Sequence, residues 1–334
     1  MNSRELVYKT LNFDKPERAP RQLWELPWAE NNHPVELNKI RRDFRSDIVW
    51  IPWFSKNPPK TTGEQFGIGE YVDEWGCRFL NKQRGIQGEA KESLITGEDW
   101  EDRNNLVLPV GYLDLDHDRI KKYCKDAEKF VIFGCPNPFE RLQYIRGTEQ
   151  LYVDLMLKPE GMFEVIRKVH DFNCSLFEAW AKTDVDALQF MDDWGSQTTL
   201  LINPKIWEEI FKPMYKDYIE IAHSHGKKMF MHSDGNILSI IPQLIELGVD
   251  ALNSQVFCMG VENLKQFKGK ITFWGEIDRQ NILPYGTQKE IEDAVISVKN
   301  SLWQDGGCIA QCEFGPGAKP ENVYKVFETW NKII

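Results

Sequence analysis

The sequence predicts a single α/β domain, a (β/α)₈ TIM barrel with its active site at the carboxyl ends of the strands. Its 334 residues contain eight short apolar runs that alternate with amphipathic helical stretches. Near-continuous apolar strands separated by helices indicate parallel pairing with both faces of the sheet covered. No GxGxxG or GxxxxGK[ST] pattern follows any of these runs, so an open nucleotide-binding sheet is not favoured. We therefore expect one domain over residues 1–334.

Composition narrows the class of protein. Hydrophobic residues make up 42% of the chain and charged residues 28%, which is typical of a soluble globular protein. The net charge of −10 argues against broad binding to nucleic acid or to an anionic membrane. The chain starts without an apolar segment of signal-peptide length and has no run of the roughly 20 apolar residues that span a membrane. Its seven cysteines are odd in number and scattered, which predicts reduced thiols and a cytoplasmic protein.

The elements follow in chain order. Ser3 is the expected N-cap of a first helix that ends before Pro16. The expected strands cover residues 20–24, 48–52, 130–133, 186–191, 227–232, 249–253, 270–275 and 308–313. The expected later helices cover residues 148–156, 159–182, 204–225, 237–246, 260–267, 287–303 and 320–332. Residues 54–128 show little strand–helix alternation, so we interpret them as a long insertion after the second strand that covers the barrel mouth.

Polar side chains follow five successive strands, and that face of a barrel holds the active site. Asp192, Asp193 and Glu276 are the candidates for general acid catalysis. The expected substrate-binding residues are Trp194, Asn253, Gln255, Trp274 and Phe314. Each has an alternative interpretation, because adjacent acids also cap helices and aromatic side chains also pack at a barrel rim.

A metal site is predicted at the same ends. His232 and Asp234 are two residues apart, so both side chains project to the same side of an extended segment. Cys312 lies at the end of the eighth strand, whereas Cys308 is roughly 13 Å further back. Glu313 would point the other way unless the strand ends before it. A histidine, a cysteine and an acidic oxygen form a reasonable open zinc site.

Several motifs extend over nearly the whole chain. They are S-R-E-x-V-x-x-x-L-N-F-x-K-P-x-R-x-P (3–20), D-E-W-G (73–76), M-D-D-W-G (191–195), H-S-D-G-N-I (232–237), L-I-E-x-G-V-D-x-L-N (244–253) and F-W-G-x-I-D-x-Q-x-x-L-P-x-G-T (273–287). In these motifs the sequence resembles the uroporphyrinogen decarboxylase superfamily, and the resemblance implies a (β/α)₈ barrel.

The superfamily includes decarboxylases and methyltransferases. The decarboxylases carry M-R-Q-A-G-R after the first strand, where this chain reads R-Q-L-W-E (21–25), a departure that counts against decarboxylation of uroporphyrinogen. The methyltransferases use a corrinoid carrier protein, and some bind zinc through H-x-C and a later cysteine. By resemblance, His232 matches the first ligand, Asp234 replaces the first cysteine and Cys312 lies near the later one, with Glu313 as a substitute ligand.

This resemblance implies methyl transfer between a small methylated compound and the cobalt of the corrinoid protein. The compound would be a methyl ether (O-demethylation), a thioether or an amine, and Zn²⁺ would assist the transfer. One alternative is a metal-independent decarboxylase or lyase that acts on a small acid or a tetrapyrrole. That reaction would need an arginine near the pocket, for which Arg21, Arg141 and Arg146 are the candidates. For Arg146 we expect a different role, which is to anchor the loop after the third strand. The other alternative is a non-catalytic barrel that binds a ligand or the corrinoid protein. The sequence is compatible with a homodimer.

Overall fold

Eight parallel strands form a nearly closed barrel in the computed structural model, which describes residues 1–134 and 136–334. The strands are β1 (Arg21–Glu25), β2 (Ile48–Trp50), β3 (Phe130–Phe133), β4 (Ala187–Met191), β5 (Lys228–Ser233), β6 (Ala251–Ser254), β7 (Thr272–Trp274) and β8 (Cys308–Phe314). Each strand pairs with the next along the chain from β2 to β8, and β8 pairs with β1. The amide of Asp47 donates to the carbonyl of Arg21 at 2.7 Å, which joins the edges at β1 and β2. The predicted (β/α)₈ barrel and all eight predicted strands are confirmed.

The alternation of side chains along each strand divides the core into two layers. The inner layer fills the barrel and includes residues from seven strands and from the first helix: Val7, Leu11, Ile48, Phe130, Ile132, Ala187, Phe230, Ala251, Trp274 and Ile309. The outer layer is larger and lies between the strands and the helices. A side chain's place in this alternation therefore decides whether it can reach the barrel mouth.

Helices surround the barrel. They are α1 (Ser3–Leu11), α2 (Pro27–Asn32), α3 (Pro34–Asp43), α4 (His117–Asp126), α5 (Pro138–Arg146), α6 (Thr148–Leu157), α7 (Glu160–Ala181), α8 (Lys212–Ser224), α9 (Ile241–Leu247), α10 (Val256–Met259), α11 (Val261–Leu264), α12 (Ile282–Tyr285), α13 (Gln288–Leu302) and α14 (Pro320–Ile333). A short helical segment, Pro204–Ile206, and a π-turn, Trp207–Phe211, precede α8. Among the described residues, no helix combines the length and the apolar character needed to cross a membrane.

The N-cap of α1 differs from the prediction. Asn2 caps the helix, because its side chain accepts from the amide of Glu5 at 2.8 Å while the Glu5 carboxylate accepts from the amide of Asn2 at 3.2 Å. This reciprocal pair is a capping box. Ser3 is instead the first helical residue, and its hydroxyl donates to Asp47 at 2.6 Å.

The segment between β2 and β3 contains a three-stranded antiparallel sheet, Gly69–Val72, Arg78–Asn81 and Glu89–Glu92, and helix α4. It contacts two neighbours of the barrel mouth. The amide of Trp28 in α2 donates to the carbonyl of Gly85 at 3.0 Å, and the Arg141 guanidinium of α5 forms a buried ion pair with Asp73. The insertion therefore reaches from the helix after β1 to the helix after β3.

Candidate active site at the carboxyl ends of the strands

His232 lies at the end of β5 and is held in one orientation. Its Nδ1 lies 2.6 Å from Oδ1 of Asn253, and the Asn253 amide nitrogen donates to the backbone carbonyl of Trp274. Because that bond leaves only the oxygen of Asn253 facing His232, Nδ1 must carry a proton and donate it. Nε2 then faces the carboxylates of Asp193, at 3.4 Å, and Asp234, at 3.7 Å. Asn253, expected to bind substrate, thus positions the imidazole.

The ligand atoms of Asp193, His232 and Asp234 all lie within 4.8 Å of one another. Burial lowers the pKa of His232, but the hydrogen bond to Asp193 and the charges of both aspartates outweigh burial and raise it to about 10. Oδ1 of Asp234 is buried and accepts no hydrogen bond from any described residue. An acceptor-only atom buried beside an imidazole nitrogen suits a cation, either a proton on Nε2 or a metal ion.

Cys312 does not belong to this group of described residues, contrary to the expected ligand set. Ile309 lies in the inner layer, while Cys308, Ala310 and Cys312 lie in the outer layer. Because side chains alternate along β8, Glu313 faces the mouth and the thiol of Cys312 packs towards the helices. Cys312 is fully buried, and burial raises its thiol pKa well above the usual range.

Arg279 is a site residue that sequence reasoning missed. Its guanidinium pairs with Asp234, with Glu313 at 2.9 Å and with Glu276 at 3.6 Å. Burial raises the pKa of Glu276 to about 8; Arg279 counteracts this shift, and the charges of Asp234 and Glu313 add to it. The available signal was its position three residues after Glu276, at the end of β7.

Two cavities flank Arg279. Gln255, Glu276 and Arg279 contribute to the lining of one of about 120 Å³, and Arg279 and Glu313 to that of another of about 220 Å³. Gln255, an expected substrate contact, thus lines a cavity, and its side-chain oxygen accepts from the amide of Gly235 at 3.2 Å. These cavities are the spaces next to the acidic groups in which a small ligand could lie.

Glu140 is a second site residue that sequence reasoning missed. It lies in the first turn of α5, where its carboxylate accepts from the Tyr144 hydroxyl at 3.0 Å. Burial, together with the charge of Asp193, raises the pKa of Glu140 to about 7. No strand-end pattern marks this residue, because it reaches the mouth from a helix.

Asp192 and Trp194 lie away from the mouth, contrary to their expected roles. The fully buried Asp192 carboxylate accepts from the amides of Phe139 and Glu140, at 2.8 and 3.0 Å, and from the hydroxyl of Tyr215 at 2.5 Å. The Trp194 ring stacks on Phe139 with 3.9 Å between centroids. Both side chains therefore attach α5 and α8 to the end of β4. This agrees with the alternative interpretation of these residues, in which the acid caps a helix and the aromatic ring packs.

The other expected aromatic contacts are also packed. Trp274 is fully buried in the inner layer and donates from Nε1 to Gln22 at 2.6 Å, while the buried Phe314 stacks on His33. The aromatic ring beside His232 is instead that of Trp24, with 5.2 Å between centroids. Trp24 lies on β1 and is a partly buried residue that packs against the inner layer. In the sequence it stands out only as a departure from the decarboxylase motif.

The three arginines considered as carboxylate-binding groups make other contacts. Arg21 donates to Asn331 in α14, and Arg141 pairs with Asp73 of the insertion. Arg146 pairs with Asp154 at 2.7 Å and donates to the carbonyl of Gly97 at 2.9 Å. Arg146 therefore anchors the insertion, and Arg279 is the arginine next to His232's acidic partners.

The fold and site define a (β/α)₈ barrel with an acidic, histidine-containing mouth. A sequence model of the family described as uroporphyrinogen decarboxylase (URO-D) matches residues 107–333, more than half of the chain. The chain belongs to the uroporphyrinogen decarboxylase family. No curated protein matches it in sequence.

A solved structure supports the barrel fold. A methyltransferase from Methanosarcina mazei superimposes with a TM-score of 0.73 at 12% identity, covering 99% of this chain and 99% of that one. An endo-β-1,4-xylanase from Gloeophyllum trabeum gives a TM-score of 0.44 at 9% identity, covering 94% of this chain and 97% of that one. The first likeness supports the barrel fold, and the second is too weak to support a conclusion.

Proposed function

We propose that this protein is a cytoplasmic enzyme that moves a methyl group between a small methylated compound and the cobalt of a corrinoid carrier protein. The observation that carries the proposal is the group formed by Asp193, His232 and Asp234 at the barrel mouth, within 4.8 Å of one another. The methylated compound would be a methyl ether, a thioether or an amine.

The residues present fit a zinc ion. Asp193, His232 and Asp234 offer one nitrogen and two oxygen ligands, and Asn253 fixes the imidazole as a second-layer partner commonly does. The unpaired Oδ1 of Asp234 supports a cation at this place. Bound there, zinc would act as a Lewis acid that polarises the heteroatom carrying the methyl group.

Glu276 would supply the proton. In demethylation the carbon–heteroatom bond breaks, its electron pair stays on the heteroatom, and the methyl group forms a bond to reduced cobalt. The heteroatom then needs a proton, and Glu276, with its pKa raised to about 8 by burial, holds one near neutral pH. Arg279 would keep the neighbouring carboxylates of Asp234 and Glu313 compensated throughout.

The side chains at the end of β1 argue against decarboxylation of uroporphyrinogen. Trp24 turns into the barrel beside His232, and Glu25 pairs with Arg41 of α3. Neither side chain offers a positive charge to a substrate with many carboxylates.

A second candidate is metal-independent decarboxylation or lyase chemistry on a small acid. Arg279 favours it, because a guanidinium at the mouth could pair with a substrate carboxylate. Its three carboxylate partners argue the other way, since the substrate would have to displace at least one of them. A non-catalytic binding barrel is the third candidate, and it would show ligand binding without turnover.

The test is an assay of methyl transfer to reduced cobalamin, in which the absorbance change of the corrin monitors the reaction. We expect at least one of a panel of methyl ethers, thioethers and methylamines to methylate the cobalt. His232→Ala should lower the rate of methyl transfer more than about 100-fold. Cys312→Ala changes a residue of the outer layer, so its rate should stay within a few-fold of that of the unchanged protein. Equal rates in all three proteins would contradict the proposal. Carbon dioxide release from a small acid, with no cobalt methylation, would favour the second candidate.

A further inference from the structure

A second group of metal-ligating side chains lies outside the barrel, between α7 and α8. His170 and Cys174 are one turn apart on α7, and Asp217 faces them from α8. Their ligand atoms all lie within 4.8 Å of one another. Nε2 of His170 is 3.1 Å from Asp217 Oδ2 and 3.7 Å from Cys174 Sγ. None of these residues belongs to the site at the mouth.

Tyr218 holds the imidazole of His170 from the other side. Its hydroxyl lies 3.2 Å from Nδ1, and the tyrosine side chain is fully buried against α7. Without an ion, Nε2–H donates to the Asp217 carboxylate and Nδ1 accepts from that hydroxyl. With an ion on Nε2, Nδ1 would carry the proton and donate it to the hydroxyl. A histidine that ligates a metal is commonly fixed in this way through its other ring nitrogen.

From this arrangement we propose that His170, Cys174 and Asp217 bind a zinc-like divalent cation. A tetrahedral ion with a Zn–S bond of about 2.3 Å and Zn–N and Zn–O bonds of about 2.0–2.2 Å holds its ligand atoms roughly 3.3–3.8 Å apart. Two of the three observed separations, 3.1 and 3.7 Å, are close to that range, and the third is within 4.8 Å.

The surroundings leave a path for the ion. The Asp217 side chain is 52% exposed, whereas that of His170 is 18% exposed. Solvent can therefore reach the group from the α8 side, and water would complete the coordination. Because the ligands come from two helices, the bound ion joins α7 to α8 and stabilises their packing.

Titration of the full-length protein with Co²⁺ tests the site. A thiolate bound to Co²⁺ produces a charge-transfer band in the near ultraviolet, and the group at the mouth offers no sulfur ligand. Because the mouth takes up Co²⁺ as well, we expect this band to be complete by about two equivalents of Co²⁺. It should be lost in Cys174→Ser, and binding should be at least tenfold weaker in Asp217→Asn.

Cys258→Ser is the matched thiol control, because Cys258 is half-buried and lines the cavity near the mouth. The band should persist in that variant. Its loss in Cys258→Ser and persistence in Cys174→Ser would overturn the proposal, as would the absence of any thiolate band in the unchanged protein.

A second measurement separates this site from the one at the mouth. Zinc should raise the unfolding temperature of His232→Ala by several degrees, because that variant keeps His170, Cys174 and Asp217. The added zinc should give a clearly smaller rise when Cys174→Ser is introduced into the same His232→Ala protein. An identical rise in the two proteins would refute the site between α7 and α8, whatever the outcome for methyl transfer.

Discussion

Replacing Asp192 should mainly affect stability and replacing Asp193 should mainly affect the site, because these two adjacent acids face different parts of the protein. Asp192 is fully buried and accepts hydrogen bonds from two amides of α5 and from the Tyr215 hydroxyl. Asp193 keeps 36% exposure, accepts from the amide of Asp234 at 2.9 Å and lies beside His232. Asp192→Ala should therefore damage folding, and Asp193→Ala should damage the site.

The loss in the free energy of unfolding follows from the number of hydrogen-bond donors left without a partner. Asp192→Ala leaves three buried donors unpaired, and each costs about 1–3 kcal/mol, less where water or small shifts compensate. We expect the free energy of unfolding to fall by about 3–5 kcal/mol. Asp193→Ala loses one amide bond and a partly exposed charge pair, so its loss should be about 0.5–1.5 kcal/mol.

Urea denaturation at neutral pH measures both losses, and zinc titration of the same proteins measures the site. Asp192→Asn, which keeps an acceptor for the α5 amides, should recover more than half of the lost stability. Asp193→Ala should bind zinc at least tenfold more weakly while remaining folded. Equal stability of Asp192→Ala and Asp193→Ala would refute the division of roles.

Three further predictions concern charge at the mouth. In metal-free protein, NMR should show that His232 stays protonated up to about pH 10. The pKa of His232 in the unfolded chain is near 6.5. The contribution of His232 to stability is therefore complete below about pH 6.5 and is lost by about pH 10. Glu276 has its pKa raised from 4.5 to about 8, so it costs stability as pH rises through that interval. The stability of Glu276→Gln relative to the unchanged protein should therefore increase from pH 4.5 to pH 8 in urea denaturation, and a constant difference would contradict this. Arg279→Gln should lower the free energy of unfolding by about 2–4 kcal/mol at pH 7, because it leaves the carboxylates of Asp234 and Glu313 uncompensated at a side chain only 23% exposed. A loss below about 0.5 kcal/mol would contradict the network.

The barrel was predictable because its signal is local. Each strand is a short apolar run between helices, and eight such runs allow few arrangements other than a closed parallel sheet. The same local pattern located His232, Asp234 and Glu276 at strand ends. It could not decide which way the last residues of a strand point. Strand β8 continues to Phe314, so Cys312 and Glu313 lie on opposite faces. Ile309 lies in the inner layer, so Glu313 shares its face and Cys312 does not.

The roles of single residues depended on contacts between elements distant in sequence. Asp192 and Asp193 are neighbours of the same type, and only the position of α5 shows that one caps it and the other faces His232. Glu140 reaches the site from a helix, so a search of strand ends could not find it. The position of Arg279 after β7 is a weak signal, and its role becomes clear when Asp234, Glu276 and Glu313 are brought together around it in space.

The most direct test of the site is the zinc content of protein purified without chelator, with Cys174→Ser present throughout so that only the mouth is counted. Three proteins suffice: this background alone, with His232→Ala, and with Cys312→Ala. We expect about one equivalent of zinc in the background and in the Cys312→Ala protein, and almost none in the His232→Ala protein. Zinc that is lost with Cys312→Ala but retained with His232→Ala would contradict the metal site formed by Asp193, His232 and Asp234.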